Sequence, residues 1–232
     1  MEMRLNMAEN KRLVSKEEFL ELLEDEEYSP GWQAIDDACD ELYNELKPYH
    51  FATNMVSRAI FGGEEFLDGY SIYRSPNRYM HIVTYGMTEL YGNEEAFGGE
   101  WNGWGYEMTI KLIEKDEQDC VWALNMLSNL ARYTYQTERF FEPYQYVGGN
   151  GQSLHIGEDS AITALLLVND TELKPQLSVY GKTEFIQLVG ITDSELEAIM
   201  DDPDNVEVLI NAMKNDGNPN LVTDMKRKKS YL

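Results

Sequence analysis

The chain has 232 residues, with 42 aspartates and glutamates against 19 lysines and arginines and a formal net charge of −23. A surface this acidic repels nucleic-acid backbones and anionic lipid, and it speeds encounter with a basic partner as well as aiding solubility. No window holds the roughly 18 uncharged apolar residues a membrane-spanning helix needs, and the longest apolar run, Ala164-Leu165-Leu166-Leu167-Val168, fits a buried strand.

Met1 to Asn10 alternates charged and apolar residues without a secretory pattern, so a cytoplasmic location is expected. Residues 1–28 read as an N-terminal helical extension, and 29–232 as the main domain. In the extension, Ser15-Lys16-Glu17-Glu18 fits a capping box, and Phe19, Leu20, Leu22 and Leu23 supply a short apolar face. The acidic run Glu24 to Glu27 closes that helix, because negative charge is unfavourable at a helix C-terminus. Ser29-Pro30 then restarts the chain as N-cap and first helical residue. Trp32, Ile35, Cys39, Leu42 and Leu46 recur at helical spacing, and Pro48 stops the helix.

From Tyr49 to Ile113 the texture becomes that of strands. Tyr70–Tyr73, Tyr79–Tyr85 and Tyr106–Ile113 are β-rich, with Met108, Ile110 and Leu112 alternating against Thr109, Lys111 and Ile113. Gly62-Gly63, Gly98-Gly99 and the Gly103 and Gly105 pair read as turns. Glu117–Arg139 returns to helical period, and Phe141–Val168 reads as loop, strand, loop, strand. Phe185–Gly190 is another strand. Thr192-Asp193-Ser194-Glu195 is a second capping box opening a helix to about Met200, Val206–Met213 is a further helix, and Leu221–Met225 a last strand before the basic tail Lys226 to Lys229. Helices and strands interleave irregularly. The expected fold is α+β, a single domain with a central mixed, mostly antiparallel sheet flanked by helices.

Motifs that carry bond chemistry are missing. Cys39 and Cys120 lie far apart in apolar stretches and read as buried free thiols. The three histidines, His50, His81 and His155, lack the i, i+4 spacing of a helical metal site; His81 and His155 would form an acid–base or metal site only by meeting in space near Glu89 or Asp159. No nucleophile elbow, calcium loop or phosphate loop appears, and Gly148-Gly149-Asn150-Gly151 reads as a hairpin or lid. No catalytic residue, metal or cofactor is therefore assigned. The tail Lys226 to Lys229 reads as a solvated end that pairs with the domain's own carboxylates. The aromatics are more informative. Tyr70, Tyr73, Tyr79, Tyr85, Tyr91, Trp101, Trp104 and Tyr106 are interleaved with Glu89, Glu94, Glu95 and Glu100. Some must be core, and the rest fit a partner surface with an acidic rim.

Within that stretch, His81-Ile82-Val83-Thr84-Tyr85-Gly86-Met87-Thr88-Glu89-Leu90-Tyr91-Gly92 and Gly103-Trp104-Gly105-Tyr106-Glu107-Met108-Thr109 resemble two signature elements of the suppressor-of-fused family. Pro30 to Ile35, Leu130 to Tyr133 with Gln136, Phe185 to Gly190 and Leu221 to Met225 match further family blocks in order, from about 30 to 228. The resemblance implies an α+β domain without known catalysis that works by binding protein. Animal members restrain transcription factors by gripping an extended peptide. Bacterial members resemble immunity proteins that bind a toxin made by the same cell, and a basic toxin domain would suit the acidic charge. The leading expectation is an immunity or antitoxin protein, and the alternative is a regulatory adaptor that sequesters an extended peptide of another cellular protein.

The match covers only the first domain of the animal protein, whose second lobe completes the peptide clamp. Met80 stands where the family has an aromatic, and Asn93 where an acidic residue is common. Carried over, the animal binding edge falls at Ile82, Glu89 and Asn93, with His81 and Glu94 beside them. It would act as an exposed strand edge that accepts a partner strand.

Overall fold

The computed structural model describes residues 14–44, 46–53 and 66–232. Its elements are α1 (Lys16–Leu22), α2 (Pro30–Tyr43), β1 (Tyr49–Ala52), β2 (Gly69–Arg74), β3 (Met80–Tyr85), β4 (Trp101–Leu112), α3 (Val121–Thr137), β5 (Tyr146–Gly148), β6 (Ile162–Asn169), β7 (Gln176–Ser178), β8 (Gly181–Thr192), α4 (Asp193–Asp201) and α5 (Asn205–Asn215). Short 3₁₀ turns at Glu94–Ala96 and Gln118–Cys120 complete them. The strands form one sheet in the order β1-β2-β3-β4-β8-β6-β5, with β7 as a hairpin partner of β8. Every pairing of named strands is antiparallel except β4 with β8. The mixed, mostly antiparallel α+β architecture is the one expected.

Three layers follow from the alternation of side chains. One face of the sheet presents Ile72, Ile82, Ile110, Leu165 and Leu188 to Ala123, Leu127 and Ala131 of α3. The other face divides in two. Tyr73, Val83, Tyr85 and Phe185 meet Ile35, Ala38 and Cys39 of α2, whereas Ala164, Leu166, Val189 and Ile191 meet Ile199 of α4 and Leu209 of α5. The central strands β3 and β6 are buried on both faces, which is why they read as nearly continuous apolar runs. Thr192 caps α4 through the expected reciprocal box, its hydroxyl accepting from Glu195 N while Glu195 Oε2 accepts from Thr192 N at 2.8 Å. Cys39 and Cys120 are buried free thiols, and burial pushes each up to about 12.

Several expected boundaries are corrected. The α2 helix ends at Tyr43, because Asn44 takes a left-handed φ of 54°, so Leu46 lies beyond it and exposed. Ser29 makes no side-chain cap. Gly103 and Gly105 lie inside β4, where the pairing with β8 shifts register between Trp101 and Tyr106, a bulge in place of the expected turn. Leu221–Met225 contributes one bridge, Leu112 with Thr223, and not a strand. The strands β1 and β7 were not expected. Gly62-Gly63 lie outside the described residues. Residues 226–229 partly fold back as anticipated. Arg227 makes a bidentate pair with buried Glu195 at 2.6 and 2.9 Å, and Lys229 reaches Asp216 at 2.9 Å.

Candidate functional site

The two signature segments meet in space and build one rigid turn. Residues 86–93 leave the end of β3, and the start of β4 runs beside them. Glu107, fully buried on β4, points its carboxylate into the turn. It accepts from Thr84 Oγ1 at 2.6 Å, Thr88 Oγ1 at 2.7 Å, and the main-chain N–H groups of Gly86 (3.0 Å), Thr88 (3.0 Å) and Met87 (3.3 Å). Asn102 pins the next residue from both sides, accepting from Glu89 N at 2.9 Å and donating to Glu89 O at 3.2 Å. Trp104 N donates to Met87 O at 3.0 Å, and Tyr135 of α3 donates to Gly86 O at 2.5 Å. Gly103, at φ +55°, is required here, since a Cβ would stand 2.9 Å from Met87 O.

From the other side the turn caps α2. Leu90 O accepts from both Gly31 N and Trp32 N at 3.2 Å. That carbonyl takes the role in which a Ser29 side chain was expected, satisfying free amides of the first helical turn. The approach is so close that a Cβ on Gly31 would fall 1.8 Å from Glu89 O. Gly31→Ala should therefore destabilise the protein by about 1–3 kcal/mol through overpacking, although alanine is the better helix former. Urea unfolding measures it, and an unchanged or raised midpoint would refute the contact.

The turn then displays its polar end. Asn93 Nδ2 donates to Glu89 Oε2 at 2.7 Å, Asn93 Oδ1 accepts from Glu95 N at 3.0 Å, and Asn93 N donates to Tyr180 Oη at 2.8 Å. Glu94 is exposed and pairs with Lys16 of α1 at 3.1 Å, a bridge worth little by itself. What seats α1 is Phe19, fully buried against Phe97, Tyr180 and Tyr28 with ring centroids at 4.6, 6.0 and 6.1 Å. Around this frame Tyr91 is 49% and Trp101 47% exposed, Lys182 Nζ lies over the Trp101 ring at 5.0 Å, and Glu94, Glu95 and Glu100, which lie between the two aromatics in the chain, are exposed. A cleft lined by Tyr28, Trp32, Tyr91, Asp25 and Glu27 opens between α1, α2 and β7.

Glu89, Asn93 and Glu94 are thus brought together. His81 and Ile82 are not part of that surface. The β3 strand pairs with β2 on one side and β4 on the other, and both residues are fully buried, so the strand edge expected at Ile82 does not exist. Ile82 packs under α3. His81 faces Tyr43 Oη at 2.6 Å through Nδ1 and Asp170 Oδ2 at 3.0 Å through Nε2. A carboxylate only accepts, so Nε2 carries the proton toward Asp170. Thr109 and Lys111 complete the cluster, donating to Asp170 at 2.6 and 2.9 Å. Burial pushes the Asp170 carboxyl up, but His81, Lys111 and Thr109 outweigh it and hold the group well below the usual carboxylate range. His155 sits elsewhere, stacked on Trp122 with centroids 5.0 Å apart and 3.4 Å from Glu158, so the imagined pairing of His81 with His155 is not formed. Tyr70, Tyr73, Tyr79, Tyr85 and Tyr106 are core residues. Among the described residues, no group of three or more His, Cys, Asp or Glu side chains could hold a metal ion, and no helix is long and apolar enough to cross a membrane.

The model of the family described as suppressor of fused protein matches residues 63–228, most of the chain and both signature segments. The chain belongs to the suppressor-of-fused family. The human and mouse suppressor of fused homologs are each 28% identical over 214 residues, an alignment covering 85% of this chain and 43% of theirs. The chain thus spans less than half the length of these curated relatives. Among solved structures, a chain of the Sufu–Fu complex superposes with a TM-score of 0.73 at 27% identity, covering 87% of this chain and 92% of that one. Drosophila Suppressor of Fused gives 0.73 at 26% identity, covering 89% and 52%. A putative homolog from Neisseria gonorrhoeae gives 0.53 at 15% identity, covering 87% and 97%, and shares the fold alone. The sequence reading missed Glu107, Asn102 and Gly31 as the residues that build the turn. The available signal was a carboxylate and an amide set into otherwise apolar or glycine-rich strand sequence.

Proposed function

We propose that this suppressor-of-fused domain is a non-enzymatic protein-binding module, and that it acts as an immunity or antitoxin protein which neutralises a basic toxin domain by covering it. One observation carries the reading: Tyr91 on the hydrogen-bonded turn and Trp101 at the start of β4 are half exposed, and exposed Glu94, Glu95 and Glu100 lie between them in the chain. Aromatic anchors on a preorganised frame lose little entropy on binding, and the acidic rim selects a partner of opposite charge. The net charge of −23 supports the same choice of partner. The relative seen in the Sufu–Fu complex supports protein binding in general. It also favours the second reading, a regulatory adaptor that sequesters a segment of another cellular protein.

Affinity purification of the tagged chain from its native host, with mass spectrometry, separates the two. A basic toxin-like polypeptide supports the first, and a regulatory protein of ordinary charge supports the second. With the partner in hand, Tyr91→Ala and Trp101→Ala should each weaken binding by about 2 kcal/mol, roughly thirtyfold in Kd. The association rate should fall steeply with added salt. Titration calorimetry showing both variants at wild-type affinity would refute this surface as the binding site.

A further inference from the structure

We infer that the chain carries a second protein-docking surface, distinct from the turn at 86–101, whose occupant is a short polypeptide segment with apolar side chains flanked by lysine or arginine. The surface lies on the α3 side of the sheet, where α3, the loop 138–145 and the terminal strand β5 enclose a groove of about 1000 Å³. Tyr133, Phe140, Tyr144 and Tyr146 line it, and each is exposed. A smaller hollow continues it past Leu130 and Val147 to the Trp122–His155 stack and Ile156, which is 92% exposed. The first surface contains Tyr91 and faces α1 and α2, so the two are built from different elements.

Two features separate this groove from an ordinary scatter of exposed apolar residues. The first is its rigidity. Phe141 is buried, and its N–H donates to Tyr106 Oη at 3.3 Å. Tyr144 N donates to Leu167 O at 2.7 Å, and Leu167 N to Gln145 O at 2.9 Å. The aromatics between these anchors are therefore held in place before any partner arrives. The second feature is Tyr144 itself. It sits at φ +73°, a backbone region unfavourable for a bulky side chain, and is 54% exposed. Neither backbone preference nor burial favours tyrosine there, whereas asparagine or glycine would suit the conformation. Strained positions that burial does not explain occur preferentially where ligands bind.

Charge decides the occupant. Exposed Glu138 and Glu142 rim the groove against Arg139, and Glu158 stands at the hollow beside His155. The chain as a whole repels a second copy of itself, since both would carry −23. An apolar floor with an acidic rim fits aliphatic or aromatic side chains bracketed by basic ones.

The test uses a phage-displayed library of random linear peptides, panned against the full chain carrying Tyr91→Ala so that the first surface does not compete. Enrichment of peptides with apolar residues flanked by lysine or arginine is expected. Their affinity should fall about tenfold or more with Tyr144→Asn and with Phe140→Ser, and should weaken with salt. Tyr144→Asn should melt no lower than the parent, because it relieves the backbone. The inference is overturned by any of three results: no such enrichment, peptides that bind both groove variants as tightly as the parent, or a lower melting temperature for Tyr144→Asn. A concentration-dependent dimer that Tyr144→Asn abolishes would likewise overturn it and give the face to a second copy.

Discussion

Glu107→Ala is expected to abolish stable folding or come close to it. The carboxylate satisfies three main-chain amides and two hydroxyls in a fully buried position. Hydroxyls can rotate toward other acceptors, but the amides of Gly86, Met87 and Thr88 cannot. Each buried amide left without a partner costs about 1–3 kcal/mol, so three cost roughly 3–9 kcal/mol, against a typical total stability of about 5–15 kcal/mol. Urea unfolding followed by circular dichroism measures the loss, and a variant within about 1 kcal/mol of wild type would refute the role assigned to the carboxylate. Glu107→Gln should lie between, because it keeps one acceptor oxygen but turns an N–H₂ donor toward other donors.

The same residue predicts a pH slope. Burial pushes the Glu107 carboxyl up to about 7, against the opposing pull of the Thr84 and Thr88 hydroxyls and the amides of Gly86 and Thr88. The folded state therefore keeps a proton that the unfolded chain releases near its ordinary value of about 4.5. A Thr84 or Thr88 hydroxyl can accommodate that proton by turning from donor to acceptor. This group's contribution to stability is greatest below about 4.5, declines as pH rises to about 7 and is flat beyond. Glu107→Gln should remove that slope, which unfolding midpoints across the window would show.

Local chemistry explains what the sequence made legible. The α2 and α4 helices each bury one stripe and carry a start signal, Pro30 in the first turn of α2 and the Thr192–Glu195 capping box of α4. The β1 and β7 strands escaped because they are four and three residues long, too short for alternation to register. Gly103 and Gly105 were read as a turn because glycine marks turns far more often than bulges. Here Gly103 lets β4 pass beside Met87 and Thr88, and Gly105 lies against the Trp101 side chain. For the site, Glu89 and Asn93 were expected on an exposed strand edge with Glu94 beside them, and the structure places all three in the segment between β3 and β4. The misplacement of His81 and Ile82 has a different cause. β3 is internal because it pairs with β2 on one side and with β4 on the other, Ile82 lying opposite Ile72 and Ile110. No local pattern distinguishes an internal strand from an edge once both faces are apolar. The family resemblance carried the binding edge over to His81 and Ile82 as well, and gave no sign that β3 is covered on both sides.

Lys111→Met should cost about 3–5 kcal/mol at neutral pH, because it removes one partner of a buried ion cluster and strands the others. Lys111 is fully buried. Its Nζ reaches Asp170 Oδ1 and Glu172 Oε2 at 2.9 Å each, Thr171 Oγ1 at 2.7 Å and Gln187 Oε1 at 3.3 Å. Asp170 in turn accepts from Thr109, His81 and the amides of Glu172 and Leu173, so the cluster ties β3, β4 and the chain after β6 into one unit. Methionine matches the length of the lysine stem but offers no charge, which leaves buried Asp170 and partly exposed Glu172 without the cation they share. Because the folded-state carboxyl of Asp170 is held low, its contribution to stability is complete above its ordinary value of 3.8 and is lost as pH falls through the depressed folded value. Acid should therefore narrow the gap between the proteins, since a carboxyl that Lys111 no longer supports takes up a proton more readily. Chemical denaturation of both proteins at neutral and at acid pH tests this. A gap that stays constant or widens in acid would mean that methionine acts through packing alone, and that the buried charge pair contributes little to the fold.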